Sequence, residues 1–189
     1  QFGIRVPRTA KEAVEIDNEN GNTKWQDAIQ LELDLLASYD TFHDLGMGTP
    51  TPEGYQHIRL QWVFAVKQDL RHKARLVAGG HMTNPLKESV FSGVVSLRSL
   101  RLVVLLGELN HLEVASADIA SAYLEAKTKE KVVFTAGHEF KELEGHTLVI
   151  FKALYGLRSS GARFNEKLGD SLRDIGFVPC KTDKEVWMR

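Results

Sequence analysis

Asp118 is the acidic residue whose surroundings best suit a chemical role. It ends an apolar stretch that predicts a strand from Leu112 to Asp118. Its neighbours are small, in the run Ala115-Ser116-Ala117-Asp118-Ile119-Ala120-Ser121-Ala122. Small neighbours leave space for a ligand, and a carboxylate at a strand end can hold Mg²⁺ together with substrate phosphates and water. Alternatively, Asp118 caps a short helix that begins next, because Asp is favoured at that position.

A cationic surface is predicted on a β-hairpin. Alternating apolar residues indicate a strand from Leu60 to Val66, and a second apolar stretch runs from Ala74 to Ala78. Lys73 and Arg75 lie two residues apart, so they face the same side of the second strand. Such a face can grip a triphosphate, because arginine gives two parallel hydrogen bonds and lysine supplies a compact charge. The alternative is a solvated edge strand, on which charges prevent aggregation.

Two further segments are candidates for nucleotide contact. Tyr123 follows Asp118 by five residues and could pack its ring under a sugar, although a tyrosine in an apolar stretch is more often core. Residues 154–161, Leu-Tyr-Gly-Leu-Arg-Ser-Ser-Gly, join a predicted strand to a predicted helix, where glycine and serine allow close backbone approach. This run could touch phosphate or template, or it could be a turn in which a serine caps the helix.

The elements that must position these residues form a mixed pattern of helices and strands. Helical periodicity of apolar residues predicts three helices, at 25–36, 97–109 and 164–175. Strand patterns occur at 131–135, 148–151 and 185–188. The segment 41–56 is rich in proline and glycine and predicts a loop. Residues 1–23 are polar and lack periodicity, which predicts a linker or a disordered lead-in.

Composition restricts the class of protein. The 189 residues include 43% hydrophobic and 26% charged side chains, as in a folded globular protein. The net charge is −1, so any nucleic-acid binding must use local basic patches. Cys180 is the single cysteine, which predicts neither an internal disulfide nor a cysteine-based zinc site. No catalytic triad, long apolar run or signal peptide is evident, and we expect an intracellular protein.

Several of these motifs occur together in an order that resembles the reverse transcriptase of copia-type retrotransposons. The resemblance covers about residues 24–189. Its first motifs are Lys24-Trp25 with Ala28 and Glu32, Trp62-Val63-Phe64 with Lys67, and Lys73-Ala74-Arg75-Leu76-Val77-Ala78-Gly79-Gly80. Its later motifs are Asp118-Ile119 with Ala122-Tyr123-Leu124, then Leu154-Tyr155-Gly156-Leu157, then Gly176-Phe177 with Asp183. Each motif alone could arise by chance, but their common order is specific.

The resemblance implies an α+β fold, the right hand of a polymerase, with an antiparallel sheet and packed helices. Residues 24–95 are expected to form the fingers and residues 96–189 a partial palm. The implied activity is RNA-directed DNA synthesis, in which a primer 3′-hydroxyl attacks a nucleotide with two Mg²⁺ ions present. Asp118 is the implied catalytic residue and metal ligand. Lys73 and Arg75 would grip the triphosphate, and Tyr123 would lie below the incoming sugar as a gate against a ribose 2′-hydroxyl.

The implied partners are an RNA or DNA template with its primer and deoxynucleoside triphosphates. The template and primer would be held through their backbones, since the enzyme copies any sequence. The family also implies integrase and ribonuclease H regions in the same polyprotein, no membrane, and a location in cytoplasmic virus-like particles or in the nucleus.

The chain departs from the family pattern at several positions. Family members carry phenylalanine in place of Tyr123, and they carry glutamine, proline and arginine in place of Ser159, Gly161 and Ala162. The glutamine contacts the nucleotide, so Ser159 is the expected but shortened substrate contact, with Arg163 as a nearby positive group. The family's Tyr-x-Asp-Asp hairpin is expected beyond Arg189, which predicts a half-built metal site and no polymerase activity for these residues alone.

Two other functions remain open from the sequence. One is a non-catalytic nucleic-acid-binding or interaction module from a degenerate copy of such an element, which the changes around Ser159 would permit. The other is an unrelated enzyme of small phosphorylated metabolites. Gly79-Gly80 is not followed by the lysine and serine or the third glycine of a phosphate-binding fingerprint, which disfavours this second function.

Overall fold

A computed structural model describes residues 2–83 and 90–189. Residues 84–89, within the range expected for the fingers, lie outside that description. The helices are α1 (Ala10–Asn20), α2 (Lys24–Ser38), α3 (Leu97–Leu109) and α4 (Ser160–Asp174). The strands are β1 (Phe42–Met47), β2 (Gln56–His57), β3 (Leu60–Val66), β4 (His72–Ala78), β5 (Val132–Thr135), β6 (His146–Ile150), β7 (Val178–Pro179) and β8 (Trp187–Met188). Short 3₁₀ helices occupy Gly80–Met82, Ala122–Glu125 and His138–Leu143.

The described strands form three sheets. The largest has the order β1-β6-β5-β2, and all its pairs are antiparallel except the parallel pair β2–β5. The hairpin β3–β4 is a second sheet, and β7–β8 is a third. Helices and sheets are thus mixed along the chain, which confirms the α+β class.

The helices and strands predicted from strong periodicity are confirmed. α2, α3 and α4 match the three predicted apolar stripes, and α4 is followed by Gly176 with a φ of +91°. The hairpin β3–β4 and the strands β5, β6 and β8 also lie where the sequence patterns indicate them.

The prediction that residues 1–23 form a linker is wrong, because residues 10–20 form α1. Thr9 caps this helix by accepting a hydrogen bond from the Glu12 backbone N–H at 3.1 Å. Ile16 is 1% exposed and belongs to the core. A Thr-x-x-Glu capping signal before apolar residues at helical spacing was present in the sequence and could have revealed the helix.

Asp17 joins α1 to α2. Its carboxylate is 0% exposed and accepts backbone hydrogen bonds from Trp25 at 3.0 Å and from Gln26 at 2.9 Å. These are two of the N–H groups that the first turn of a helix leaves without an intrahelical partner. A carboxylate there also interacts favourably with the positive end of the helix dipole. The N-terminal segment is therefore part of the folded unit.

Two further predictions are corrected by the structure. The loop predicted at 41–56 is narrower, because β1 and the first residue of β2 fall within that range and pair with β6 and β5. The strand predicted from Leu112 to Asp118 is absent, and residues 111–120 are irregular and exposed. Residues 112–118 pair with no strand in the described part of the chain, so their apolar alternation has no ladder to join.

The core lies between α2, the hairpin and the larger sheet. Trp25 is 1% exposed, and its ring meets Phe64 edge-on with centroids 5.6 Å apart and His72 with centroids 4.3 Å apart. α2 therefore packs directly on β4 and fixes the strand that carries the cationic residues. α3 differs, because its apolar side chains are largely exposed and only Gly107 is buried.

No helix within residues 2–83 and 90–189 is both long and apolar enough to cross a membrane.

Candidate functional site

Lys73 and Arg75 lie on one face of β4, as their spacing predicts. Ala65 pairs with Lys73 and Val63 pairs with Arg75 in the antiparallel hairpin. Both cationic residues are half-buried, whereas the alternate positions Ala74, Leu76 and Ala78 are buried in the core. The pleat of the strand therefore separates a cationic face from an apolar face.

Glu32 of α2 supports this strand from its open edge. Its Oε1 accepts a hydrogen bond from the Leu76 backbone N–H at 3.2 Å. Burial raises the pKa of Glu32, while the charges of Lys73 and Arg75 act in the opposite direction. Burial also lowers the pKa of Lys73, and the charges of Arg75 and Lys67 add to that effect. The β4 edge thus has an acidic partner close to its cationic face.

The turn at residues 154–157 docks onto the end of β4. The Ala78 backbone N–H donates to the Tyr155 carbonyl at 2.7 Å. Gly156 has a φ of +90°, and a Cβ there would lie 2.1 Å from the Ala78 carbonyl oxygen. A Cβ on Gly80 would likewise lie 2.2 Å from the Gly156 carbonyl oxygen. The motifs that contain Gly80 and Gly156 therefore meet backbone to backbone, although they are far apart in sequence. Only glycine permits so close an approach at these two positions.

Arg158 strengthens the same contact. Its Nε donates to the Gly80 carbonyl at 2.9 Å and its Nη2 donates to the His81 carbonyl at 3.0 Å. The guanidinium thus joins the turn to the segment that follows β4. It acts here as a structural bridge between two motifs that the sequence separates.

Arg75 and Tyr123 are brought together through Tyr155. The guanidinium carbon of Arg75 lies 5.3 Å from the centre of the Tyr155 ring. The Tyr155 and Tyr123 ring centroids are 4.8 Å apart, at an interplanar angle of 54°. Tyr123 also meets Phe164 of α4 with centroids 6.4 Å apart. Two residues predicted to bind a nucleotide therefore contact the same ring.

Asp118 lies in the exposed irregular segment before the 3₁₀ helix Ala122–Glu125. Ser121, rather than Asp118, occupies the N-cap position of that helix. The alternative of Asp118 as a helix cap is therefore not realised. Its carboxylate remains exposed.

A magnesium site needs oxygen ligands from carboxylates, phosphates or water. No group of three or more His, Cys, Asp or Glu side chains able to hold a metal ion occurs in the described parts of the chain. Mg²⁺ usually takes one or two protein carboxylates, with phosphates and water completing its coordination shell. Asp118 can supply one such carboxylate. These residues fit one ligand of a magnesium site and do not form a complete two-metal centre.

Ser159 lies inside the protein, at the start of α4. It is 3% exposed, and its hydroxyl and backbone N–H donate to Glu130 Oε1 at 2.7 Å and 2.9 Å. Glu130 is itself buried, and its Oε2 accepts from the Thr83 hydroxyl at 3.4 Å. Because the Ser159 hydroxyl already has a buried protein partner, we expect Ser159 to hold the turn in place instead of contacting a nucleotide.

Sequence reasoning missed Tyr155 and Glu130 as parts of this region. Tyr155 was recognised only as a member of the Leu154-Tyr155-Gly156-Leu157 motif. Its contact with Arg75 joins two residues that are 80 positions apart in the sequence. Glu130 had no local signal, since it lies in the charged run Lys-Thr-Lys-Glu-Lys at residues 127–131, which is typical of a solvent-exposed segment.

Comparison with known proteins identifies the class of this chain. Residues 48–189 match the family described as reverse transcriptase (RNA-dependent DNA polymerase). Because this match covers most of the chain, the protein belongs to that family. No solved structure matches it.

Its relatives are polyproteins of transposons. The chain is 25% identical over 194 residues to the retrovirus-related Pol polyprotein from transposon TNT 1-94 of Nicotiana tabacum, covering 98% of this chain and 14% of that protein. It is 25% identical over 191 residues to the corresponding polyprotein from transposon RE1 of Arabidopsis thaliana, covering 96% of this chain and 12% of that protein. It is 31% identical over 113 residues to the transposon Ty1-BL Gag-Pol polyprotein of Saccharomyces cerevisiae, covering 59% of this chain and 6% of that protein. The resemblance to copia-type reverse transcriptases is confirmed, and the chain spans a small part of these relatives' length.

Proposed function

We propose that this chain is the nucleotide-gripping part of an RNA-directed DNA polymerase within a copia-type polyprotein. The observation that carries the proposal is the convergence of Arg75 and Tyr123 on the ring of Tyr155. Arg75 comes from the hairpin and Tyr123 from the segment after Asp118, so residues distant in sequence share one surface. Family membership supports the same activity.

In this proposal the cationic face of β4 binds the triphosphate. Arg75 supplies a planar guanidinium that can pair with two phosphate oxygens, and Lys73 supplies a second positive charge. Tyr123 lies below the sugar of the incoming nucleotide, where its ring excludes a ribose 2′-hydroxyl by its bulk. Lys73 is half-buried, so its charge acts in a medium that screens it less than bulk water does.

Asp118 contributes one carboxylate to the magnesium site of the complete polymerase. Bound Mg²⁺ supplies charge stabilisation for the attacking and leaving oxygens of phosphoryl transfer. Because the described residues hold no cluster of metal-ligating side chains, we expect these 189 residues alone not to extend a primer.

The proposed subdomains are fingers at residues 24–95 and a partial palm at residues 96–189, with α1 packed against the fingers. The substrates are a template with its primer and deoxynucleoside triphosphates. The relatives are Pol polyproteins, so integrase and ribonuclease H regions are proposed as neighbours in the same translation product, in a virus-like particle.

A titration with a deoxynucleoside triphosphate tests the cationic face. Arg75→Met should weaken the binding of dTTP with Mg²⁺ by about 10- to 100-fold, because a hydrogen bond to a charged group contributes about 1.5 to 3 kcal/mol. Lys73→Met should weaken it in the same direction. Lys131→Met is the matched control, since Lys131 is an exposed cation immediately before β5, which belongs to a different sheet from β4. Equal effects of all three substitutions would show that only net charge matters.

Primer extension tests the activity itself. The complete polymerase region should incorporate nucleotides on an RNA template, and Asp118→Asn should abolish incorporation while leaving the protein folded. If the complete region binds template and primer but does not extend the primer, the chain is a non-catalytic binding module instead.

A further inference from the structure

The side chain of Tyr155 contacts both residues proposed to bind the nucleotide. The Arg75 guanidinium lies 5.3 Å from the ring centre, and the centroids of the Tyr123 and Tyr155 rings are 4.8 Å apart. Tyr155 is half-buried, so its ring is shielded from solvent on part of its surface. The three side chains belong to three separate segments of the chain.

The backbone at Tyr155 is anchored to β4. Its carbonyl accepts from the Ala78 N–H at 2.7 Å, and the next residue, Gly156, comes so close to β4 that a Cβ would lie 2.7 Å from Val77 Cγ1. Val77 lies on the same face of β4 as Arg75, two residues further along. The turn is thus fastened to the strand that carries Arg75, and the backbone at Tyr155 cannot shift independently of that strand.

The segment that carries Tyr123 is held by α4 and Tyr155. The 3₁₀ helix Ala122–Glu125 packs against α4, and Tyr123 meets Phe164 of that helix. A Cβ on Gly161, at the start of α4, would lie 4.0 Å from the Tyr123 hydroxyl oxygen. Tyr155 therefore contacts both Tyr123 and Arg75 in the described part of the chain.

We propose that Tyr155 is a positioning residue, which holds the triphosphate-binding guanidinium of Arg75 and the sugar-gating ring of Tyr123 at a fixed separation. This proposal rests on the proposed function of the same surface. A cation over an aromatic face is attracted by the ring quadrupole, which restricts the long arginine side chain to fewer rotamers. An arginine already restricted loses less entropy when it binds a phosphate, so the nucleotide is bound more tightly.

The aromatic ring, not the hydroxyl, performs this role. Tyr155→Phe retains the ring that meets both Arg75 and Tyr123, so it should behave like the unaltered protein. Tyr155→Leu keeps an apolar side chain but removes the quadrupole and the ring contact. The comparison of these two variants separates positioning from simple filling of space.

The contact itself is tested in this chain by a double-mutant cycle. Urea unfolding of the single variants Arg75→Met and Tyr155→Leu and of the double variant gives their coupling. We expect the folding equilibrium constant to show a coupling of about 2- to 30-fold, the range of a cation over a ring. With Tyr155→Phe in place of Tyr155→Leu the effects should be additive, because the ring that meets Arg75 is present in both backgrounds. Additive effects of Arg75→Met and Tyr155→Leu would overturn the proposal.

The role in substrate binding is tested in the complete polymerase region by steady-state kinetics. Tyr155→Leu should raise KM for the deoxynucleotide about 10-fold with a smaller change in kcat, and it should lower the preference for deoxynucleotides over ribonucleotides. Tyr155→Phe should restore both quantities. A simple loss of folded protein would lower kcat in proportion to the folded fraction and would leave KM and sugar preference unchanged.

The outcomes distinguish this proposal from the proposed function. If Arg75→Met raises KM but Tyr155→Leu changes neither KM nor sugar preference, the role of Tyr155 is overturned and the triphosphate role of Arg75 stands. If Arg75→Met also leaves KM unchanged, the triphosphate role of the β4 face fails, and the positioning role fails with it.

Discussion

Substituting Gly156 with alanine should separate the turn from the hairpin. Gly156 has a φ of +90°, and an added Cβ would lie 2.1 Å from the Ala78 carbonyl oxygen, a distance that no structure sustains. Because the obstructing atom belongs to the backbone, no side-chain rotation can relieve the clash. The turn or the end of β4 must move, and the hydrogen bond from the Ala78 N–H to the Tyr155 carbonyl is lost.

The expected cost follows from three contributions. A positive φ costs a residue with a Cβ about 1 to 2 kcal/mol. Loss of the buried hydrogen bond costs about 0.5 to 1.5 kcal/mol, and displaced packing adds an amount of similar size. The free energy of unfolding should therefore fall by about 2 to 5 kcal/mol, within the range of single substitutions with a structural cause.

Urea unfolding followed by tryptophan fluorescence measures this change. With a slope of about 2 kcal/mol per molar urea, the midpoint should fall by about 1 to 2.5 M. Gly54→Ala is the matched control, because Gly54 has a φ of +78° and nothing lies within 4 Å of its added Cβ. It should lose only the backbone contribution, about 1 to 2 kcal/mol. Equal destabilisation by the two substitutions would refute the close approach of the turn to β4.

Three further predictions test other parts of the structure. Asp17→Ala should lower the free energy of unfolding by about 2 to 4 kcal/mol, because it leaves the N–H groups of Trp25 and Gln26 without their charged acceptor. The control Asp27→Ala, at an exposed site, should cost less than about 1 kcal/mol. Urea unfolding measures both changes. Ser159→Ala should lower the free energy of unfolding by about 1 to 2 kcal/mol, because it removes the hydrogen bond to Glu130. A dTTP titration of this variant should show unchanged affinity. Weakened affinity would restore Ser159 as a nucleotide contact. Hydrogen bonds from the Ser99 side chain and the Ser96 backbone lower the pKa of Asp183 to about 2. The stabilisation of the α3 N-terminus by Asp183 is therefore full above about pH 4 and is lost as the pH falls towards 2. An NMR titration of the Asp183 carboxyl should show this low midpoint, and a midpoint near 4 would contradict it.

The sequence was sufficient for elements whose evidence is local. The apolar stripe of α2 and the alternation in β3 predicted both elements within a few residues, because each pattern repeats within one element. The same local logic placed Lys73 and Arg75 on one face of β4. It did not place Asp118, because the apolar alternation of residues 112–118 indicates a strand only where a neighbouring strand can pair with it.

Non-local contacts account for the remainder. β1 was hidden in a segment rich in glycine and proline, and its partner β6 lies about a hundred residues later. The role of Tyr155 depends on Arg75 of the hairpin, and that of Ser159 depends on Glu130. Family resemblance connected the motifs and implied the proposed activity. It did not reveal that the Gly79-Gly80 and Leu154-Tyr155-Gly156-Leu157 motifs are physically joined through Gly156 and Arg158.

The central claim is that the cationic face of β4, the Tyr155 ring and Tyr123 form one nucleotide-binding surface. The most direct measurement is an NMR titration of the chain, labelled at the arginine Nε and the tyrosine rings, with dTTP and Mg²⁺. The largest shifts are expected at Arg75, Tyr155 and Tyr123, with Tyr39 and Tyr55 unchanged as internal controls. Shifts confined to other residues, or equal shifts at all tyrosines, would contradict it.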